Sequence, residues 1–255
     1  MFSLFELPAE FQLSTYGWIF ALAASFLIGL SKSGIKGIDV VNVTLLALVF
    51  GGKASTGIMV PMLMLGDICA VIYYNRHAQW VYLFRLLPWM MAGVLLGVWF
   101  GKDLPEATFK QGMAIIIFVS VIIMYWWDRK KNKEVPHQWW FAGIMGSSAG
   151  FTTMVGNLAG AFANIFFLAM RMPKDHFIGT AAWLFFIMNI FKAPFHIFFW
   201  KTITLDTLAL NLRMFPILLL GFGVGIWLVK QIKDEHYRQL ILLLTALGAI
   251  AIFFK

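Results

Sequence analysis

Five ionisable side chains lie among long apolar runs: Lys32, Lys36, Asp67, Lys192 and His196. Charges in such surroundings commonly mark substrate or ion paths. Lys32 and Lys36 fall within Gly29-Leu-Ser-Lys-Ser-Gly-Ile-Lys-Gly37. A helix broken there leaves backbone groups unsatisfied and can turn a positive helix N-terminus toward an anion. The alternative is that the lysines snorkel to an interface while the glycines permit close helix packing. A second stretch, Gly150-Phe-Thr-Thr-Met-Val-Gly-Asn-Leu-Ala-Gly160, carries Thr152, Thr153 and Asn157 but no charge, and Ser147 and Ser148 precede it. Cations from one stretch and hydroxyl or amide donors from the other would make one oxyanion site between two helix tips.

Asp67 lies twelve residues into an apolar span beginning near Ser55, with no charge beside it in sequence. Its burial must be offset by a partner or a proton, so it is the first candidate for proton coupling; local hydrogen bonding near an interface is the alternative. Lys192 and His196 are four residues apart, on one helix face, with Pro194 between them as a kink. That face could meet Asp67 or the substrate. His196 is a second proton-coupling candidate, its alternative being donation to a nearby carbonyl. Asn42, Asn157, Asn164 and Asn189 interrupt apolar segments and can bridge helices as readily as bind a ligand. No zinc-ligand cluster, phosphate-cradling loop or hydrolytic carboxylate pair is present in the sequence, so neither an enzyme nor a cofactor is expected.

The elements that must hold these residues follow from composition. Of 255 residues, 61% are hydrophobic and 13% charged, against about 25% charged in soluble domains. The chain is therefore expected to be an all-α integral membrane protein. Residues 1 to 12 carry Glu6 and Glu10 and no basic residue, so the first apolar segment does not read as a cleaved signal. The lone Cys69 reads as packing. Full spans are expected at 54–74, 85–101, 110–127, 177–199, 213–229 and 237–254. Regions 17–50 and 139–170 are too long for one span and are broken by the two polar stretches; Trp18 to Leu30 and Ile38 to Phe50 would be half-helices of thirteen residues each.

Arg85, Pro88, Gly93, Gly97 and Lys102 recur as Arg213, Pro216, Gly221, Gly225 and Lys230 at a constant separation of 128 residues. Gly29 and Gly150 pair at 121, and Asp67 and Asn189 at 122. Two repeats are expected, 1–127 and 139–255, each a broken or re-entrant helix pair plus three transmembrane helices, joined by a basic cytoplasmic linker, 128–138. The crossings per repeat are odd whether the broken pair re-enters or passes through, so the halves have inverted topology. Gly93-x-x-x-Gly97 and Gly221-x-x-x-Gly225 suggest close packing in both halves. Arg76, Arg129 to Lys131, Lys133, Arg171, Lys174, Lys230 and Lys233 gather on one side, expected to be cytoplasmic, which leaves both termini on the other. The net charge of +8 reflects that bias, with no sign of nucleic-acid binding.

With these features the chain resembles the TauE/SafE sulfite exporter family, also called the 4-toluene sulfonate uptake permeases. The resemblance rests on Gly29-Leu-Ser-Lys-Ser-Gly34, Gly52-Lys-Ala-Ser-Thr-Gly57 leading to Pro61 and Asp67, Tyr73-Tyr-Asn-Arg-His77 and Arg85-Leu-Leu-Pro-Trp89. It implies a secondary transporter, an exporter, of small sulfur-containing anions such as sulfite or organosulfonates, working by alternating access. It also implies site roles for Ser31, Lys32, Ser33, Lys53 and Asp67. The substrate-binding set is thus Ser31, Lys32, Ser33, Lys36, Lys53, Thr152, Thr153, Asn157 and Lys192, with Asp67 and His196 for the proton. An anion channel or a non-transporting membrane scaffold is the competing reading. Expected partners are the anion, the bilayer and a possible second copy as a homodimer. The expected location is the bacterial inner membrane, as a multi-pass protein.

Overall fold

A computed structural model describes residues 13–105, 107–109, 111–112, 115, 118–119, 122, 139–233, 236–237, 239–241 and 243. Every regular element among them is helical. Helix α1 spans Thr15–Lys32, opened by Ser14, whose hydroxyl accepts from the Gly17 amide at 3.1 Å. The chain then turns through Ser33 to Ile38. Gly34 and Gly37 take φ of 124° and 101°, a region closed to most side chains. Helix α2, Asp39–Phe50, ends at Gly51 (φ 88°), and α3, Gly52–Tyr74, starts at once. Helix α4 covers Trp80–Gly101.

The later half opens with α5, Trp139–Gly156, broken at Asn157 and Leu158 before α6, Ala159–Ala169. Asn157 takes the left-handed conformation (φ 55°), which asparagine tolerates better than most residues. Helix α7, Lys174–Pro194, loosens into a π turn over Phe195–Phe199, directly after the proline. Helix α8, Leu205–Gln231, is opened by a capping box between Thr204 and Thr207.

Five helices are long and apolar enough to cross a bilayer: α1, α3, α4, α7 and α8, counting the short turns that extend α3 and α7. The chain is a multi-pass membrane protein. The expected spans 54–74, 85–101, 177–199 and 213–229 appear as α3, α4, α7 and α8. Helices α4 and α8 begin earlier than expected, at Trp80 and Leu205, so Arg85 and Arg213 lie within them rather than at their starts. The spans expected at 110–127 and 237–254, and the linker 128–138, lie largely outside the described residues.

Both expected breaks are present, but each comes later than its first glycine suggests. Gly29 and Gly150 are ordinary helical residues in α1 and α5. They are small for packing, not for turning. A methyl group at Gly29 would strike the backbone of Leu218 in α8, and one at Gly150 the backbone of Met90 in α4. Helix α1 consequently runs 18 residues, about 27 Å at 1.5 Å per residue, rather than the thirteen expected. Helix α2, with 12 residues, is too short to span a hydrocarbon core of about 30 Å.

The two most extensive helix pairs are α4 with α5 and α1 with α8. Their contacts are reciprocal. Gly93 of α4 abuts the backbone of Ser147 and Phe151, while Gly221 of α8 abuts the backbone of Phe26. Gly97 faces Met154, and Gly225 faces Ser33. Met90 and Leu218 stand 128 residues apart, as do Gly93 and Gly221, while Phe26 and Ser147 stand 121 apart, as do Gly29 and Gly150. Small residues let backbones approach where no hydrophobic effect drives helices together. Gly29→Ala and Gly150→Ala should each cost about 1–3 kcal/mol through overpacking, read as a lower unfolding temperature of the purified protein in detergent. Gly223→Ala, with nothing within 4 Å of the added methyl, should not lower it; equal stability of all three variants would remove the backbone contacts from the account.

Candidate functional site

The two breaks face one another across a cavity of about 30 Å³, room for a few water molecules at most. Its wall includes Ser31, Lys32, Lys36 and Asp39 from the first break and Thr153, Asn157, Ala159 and Gly160 from the second. Leu63 of α3 and Phe185 and Asn189 of α7 complete it.

Lys32 is the last residue of α1, and its Nζ donates to Asp67 Oδ1 at 2.5 Å. Asn189 Nδ2 donates to the other carboxylate oxygen, also at 2.5 Å. Asp67 is fully buried, so both oxygens are matched where water is absent. Gly66 makes room for this pair, because a methyl there would lie 2.8 Å from Lys32 Cγ.

Lys36 Nζ donates to the Ser31 carbonyl at 2.9 Å, in the last turn of α1, where carbonyls lack helical partners and favour a cation. The Phe185 ring lies 5.3 Å from the Lys32 ammonium and 5.5 Å from that of Lys36, within cation–π range of both. Asp39 opens α2, where a carboxylate suits the helix dipole, and accepts from the Ser31 hydroxyl. Its other oxygen lies 3.1 Å from where a methyl on Gly160 would stand, so glycine at 160 lets the tips meet.

On the second tip, Asn157 Nδ2 donates to the Thr56 carbonyl at 3.0 Å, which turns its Oδ1 toward Lys192. Lys192 Nζ, from α7, donates to Asn157 Oδ1 at 2.5 Å, Thr153 Oγ1 at 3.0 Å and the Thr153 carbonyl at 3.3 Å. Lys192 thus stands directly behind the two polar residues that the second tip presents to the cavity.

Ser31, Lys32, Lys36, Thr153 and Asn157 therefore converge, with Asp67 and Lys192 in contact with them. The other residues expected at the site lie elsewhere. The Ser33 hydroxyl donates to the Leu30 carbonyl on the side facing Gly225 of α8. Thr152 bonds back to the Ser148 carbonyl at 2.8 Å. Lys53 Nζ donates to the Lys102 carbonyl at 2.7 Å and lies over Trp200. His196 is buried against Trp200, with Nδ1 2.9 Å from the Thr202 hydroxyl. Asp39, Leu63 and Phe185 are cavity residues that the sequence reading did not single out. Asp39 had a detectable signal, an acid two residues after a glycine turn in an apolar run. Phe185 is one of 26 phenylalanines and had none.

Fully ionised, the cluster of three lysines and two aspartates has one excess positive charge, which a single anion would neutralise. Among the described residues no group of three or more His, Cys, Asp or Glu is placed to hold a metal ion. Removing one member of the Lys32–Asp67 pair strands a buried charge, so Lys32→Met should destabilise the protein by about 3–5 kcal/mol. Adding Asp67→Leu should restore much of the loss, since replacing both charges of a buried pair is often near neutral. Additive losses in chemical unfolding of the double variant would show that the pair is not coupled.

A family model described as sulfite exporter TauE/SafE matches residues 21–252. No curated protein and no solved structure matches the chain significantly. A match that runs from the first described helix nearly to the last residue, and takes in both cavity-forming breaks, makes this chain a member of the sulfite exporter TauE/SafE family.

Proposed function

We propose that the chain is a secondary transporter that exports small sulfur-containing anions, such as sulfite or organosulfonates, across the bacterial inner membrane. The anion binds between the tips of the two broken helix pairs. The observation that carries this reading is Lys36: the residue is 2% exposed and lines the cavity, and its ammonium makes a single hydrogen bond among the described residues, to a backbone carbonyl. Two of its N–H groups remain for a ligand, beside the Thr153 hydroxyl and the Asn157 amide. A tetrahedral or pyramidal oxyanion has enough acceptor oxygens to use them. Asp67 in this reading is a tethered anion that holds Lys32 until substrate competes for it.

Alternating access requires two halves that rock about the site, and we read the chain as inverted repeats, 1–127 and 139–255. The reciprocal packing of α1 on α8 and α5 on α4 supports that reading, because each helix of one half meets the counterpart of the helix that meets it. A non-transporting scaffold would have no use for Lys32, Lys36, Asp67 and Lys192 buried together.

The test is anion flux in proteoliposomes. Sulfite or an organosulfonate should move under an imposed gradient, and Lys32→Ala should abolish it. A hydrogen bond to a charged group contributes about 1.5–3 kcal/mol, so Lys36→Gln should weaken half-saturation by about ten- to a hundredfold. Unchanged flux in both variants would end the tip-site reading, and flux that ignores an imposed pH gradient would favour a channel.

A further inference from the structure

We infer that Lys192 binds and releases the coupled proton, with the Thr153 hydroxyl as the rotor that keeps its nitrogen paired in both charge states. The inference rests on the anion-transport reading and assigns its coupling group.

Lys192 is wholly buried, and its three acceptors are neutral. Among the described residues no carboxylate bonds to it, whereas Lys32 has Asp67. An ammonium without a counter-ion in such a place is costly. The geometry around it accommodates two states. Asn157 Oδ1 and the Thr153 carbonyl can only accept, and the bond from Asn157 Nδ2 to the Thr56 carbonyl prevents the amide from turning over. The Thr153 hydroxyl can accept or donate. As an ammonium, Lys192 gives three N–H groups to three acceptors. As an amine, it gives two to the fixed acceptors, and its lone pair receives the Thr153 hydroxyl proton. Only that hydroxyl hydrogen must rotate, so the Lys192 nitrogen is fully paired in either state.

The same two residues, Thr153 and Asn157, line the cavity. An anion there stands next to Lys192 and supplies the missing counter-charge, so a proton taken from water onto the amine and an anion entering the cavity favour each other reciprocally. The other charges acting on Lys192 are Lys32 of α1, which repels, and Asp67 of α3, which attracts. Both Asp67 oxygens are taken by Lys32 and Asn189, so it acts on Lys192 only at a distance and bonds to other groups. His196, one turn along α7, is the rival titrating group; its Nε2 has no partner among the described residues.

The experiment measures proton uptake, with a pH indicator in weak buffer, when methanesulfonate binds to the purified protein; the charge of this probe is constant near neutral pH. Binding is measured in parallel by calorimetry. The wild-type protein should take up about one proton per anion bound. Lys192→Met, which has no titrating group, and Lys192→Arg, which keeps its charge, should take up none per anion bound. Persistent uptake in either variant, or wild-type binding with no uptake, overturns the assignment, as does loss of uptake in His196→Gln alone. Thr153→Val removes an acceptor from the ammonium and a donor to the amine; the charge-assisted bond is the stronger of the two, so half-maximal uptake should move to lower pH, with Thr153→Ser returning it, and an unmoved midpoint also overturns the assignment. Failure of wild-type protein to bind methanesulfonate or sulfite at all would instead refute the underlying anion-site reading.

Discussion

Taking an ion out of water costs several kcal/mol even after a protein relaxes around it, and the cavity at the helix tips concentrates that cost. Lys32, Lys36 and Asp39 line it, Asp67 and Lys192 stand behind them, and each has a specific answer. Lys32 and Asp67 neutralise one another, with Asn189 matching the second carboxylate oxygen. Lys36 uses a carbonyl at the end of α1 and the face of Phe185. Asp39 uses the start of α2 and the Ser31 hydroxyl. Lys192 has neutral acceptors alone. Fully ionised, the cluster is thus one negative charge short, and in the proposed function that is the charge the anion supplies.

The cluster exists only because the helices carrying it approach closely. Glycines at 29, 93, 150 and 221 bring α1 against α8 and α5 against α4 with backbone touching backbone. These contacts hold α1 and α5, which end at the two tips, close against α8 and α4. Glycine at 66 and 160 then gives room at the tips for the Lys32 stem and the Asp39 carboxylate. Packing and chemistry are linked through the same residue type: a larger side chain at any of these positions would separate the charges that must meet.

Much of this architecture is legible in the residue types alone. Two interruptions in apolar regions, a charged one and a neutral one, pointed to two tips, and both are present. Their positions were less legible, because a glycine that serves helix packing and one that serves a turn look alike in sequence. Gly29 and Gly34 differ only in what surrounds them: the first lies on the backbone of α8, and the second takes a φ of 124°.

Composition and hydrophobic run length, which are local properties of the chain, were enough to place it in a bilayer as helices and to identify polar residues that had no business in lipid unless they were used. The repeat of small and basic residues was equally visible, since it needs no knowledge of contacts. Which of those polar residues share a cavity was decided only by the tertiary structure. Lys32 lines it and Ser33 does not; Thr153 lines it and Thr152 does not. Neighbours on a helix point about 100° apart, so a one-residue difference separates a side chain facing the opposite tip from one facing its own backbone or the next helix. The face that turns inward is set by how α1 lies on α8 and α5 on α4, and no single segment contains that information.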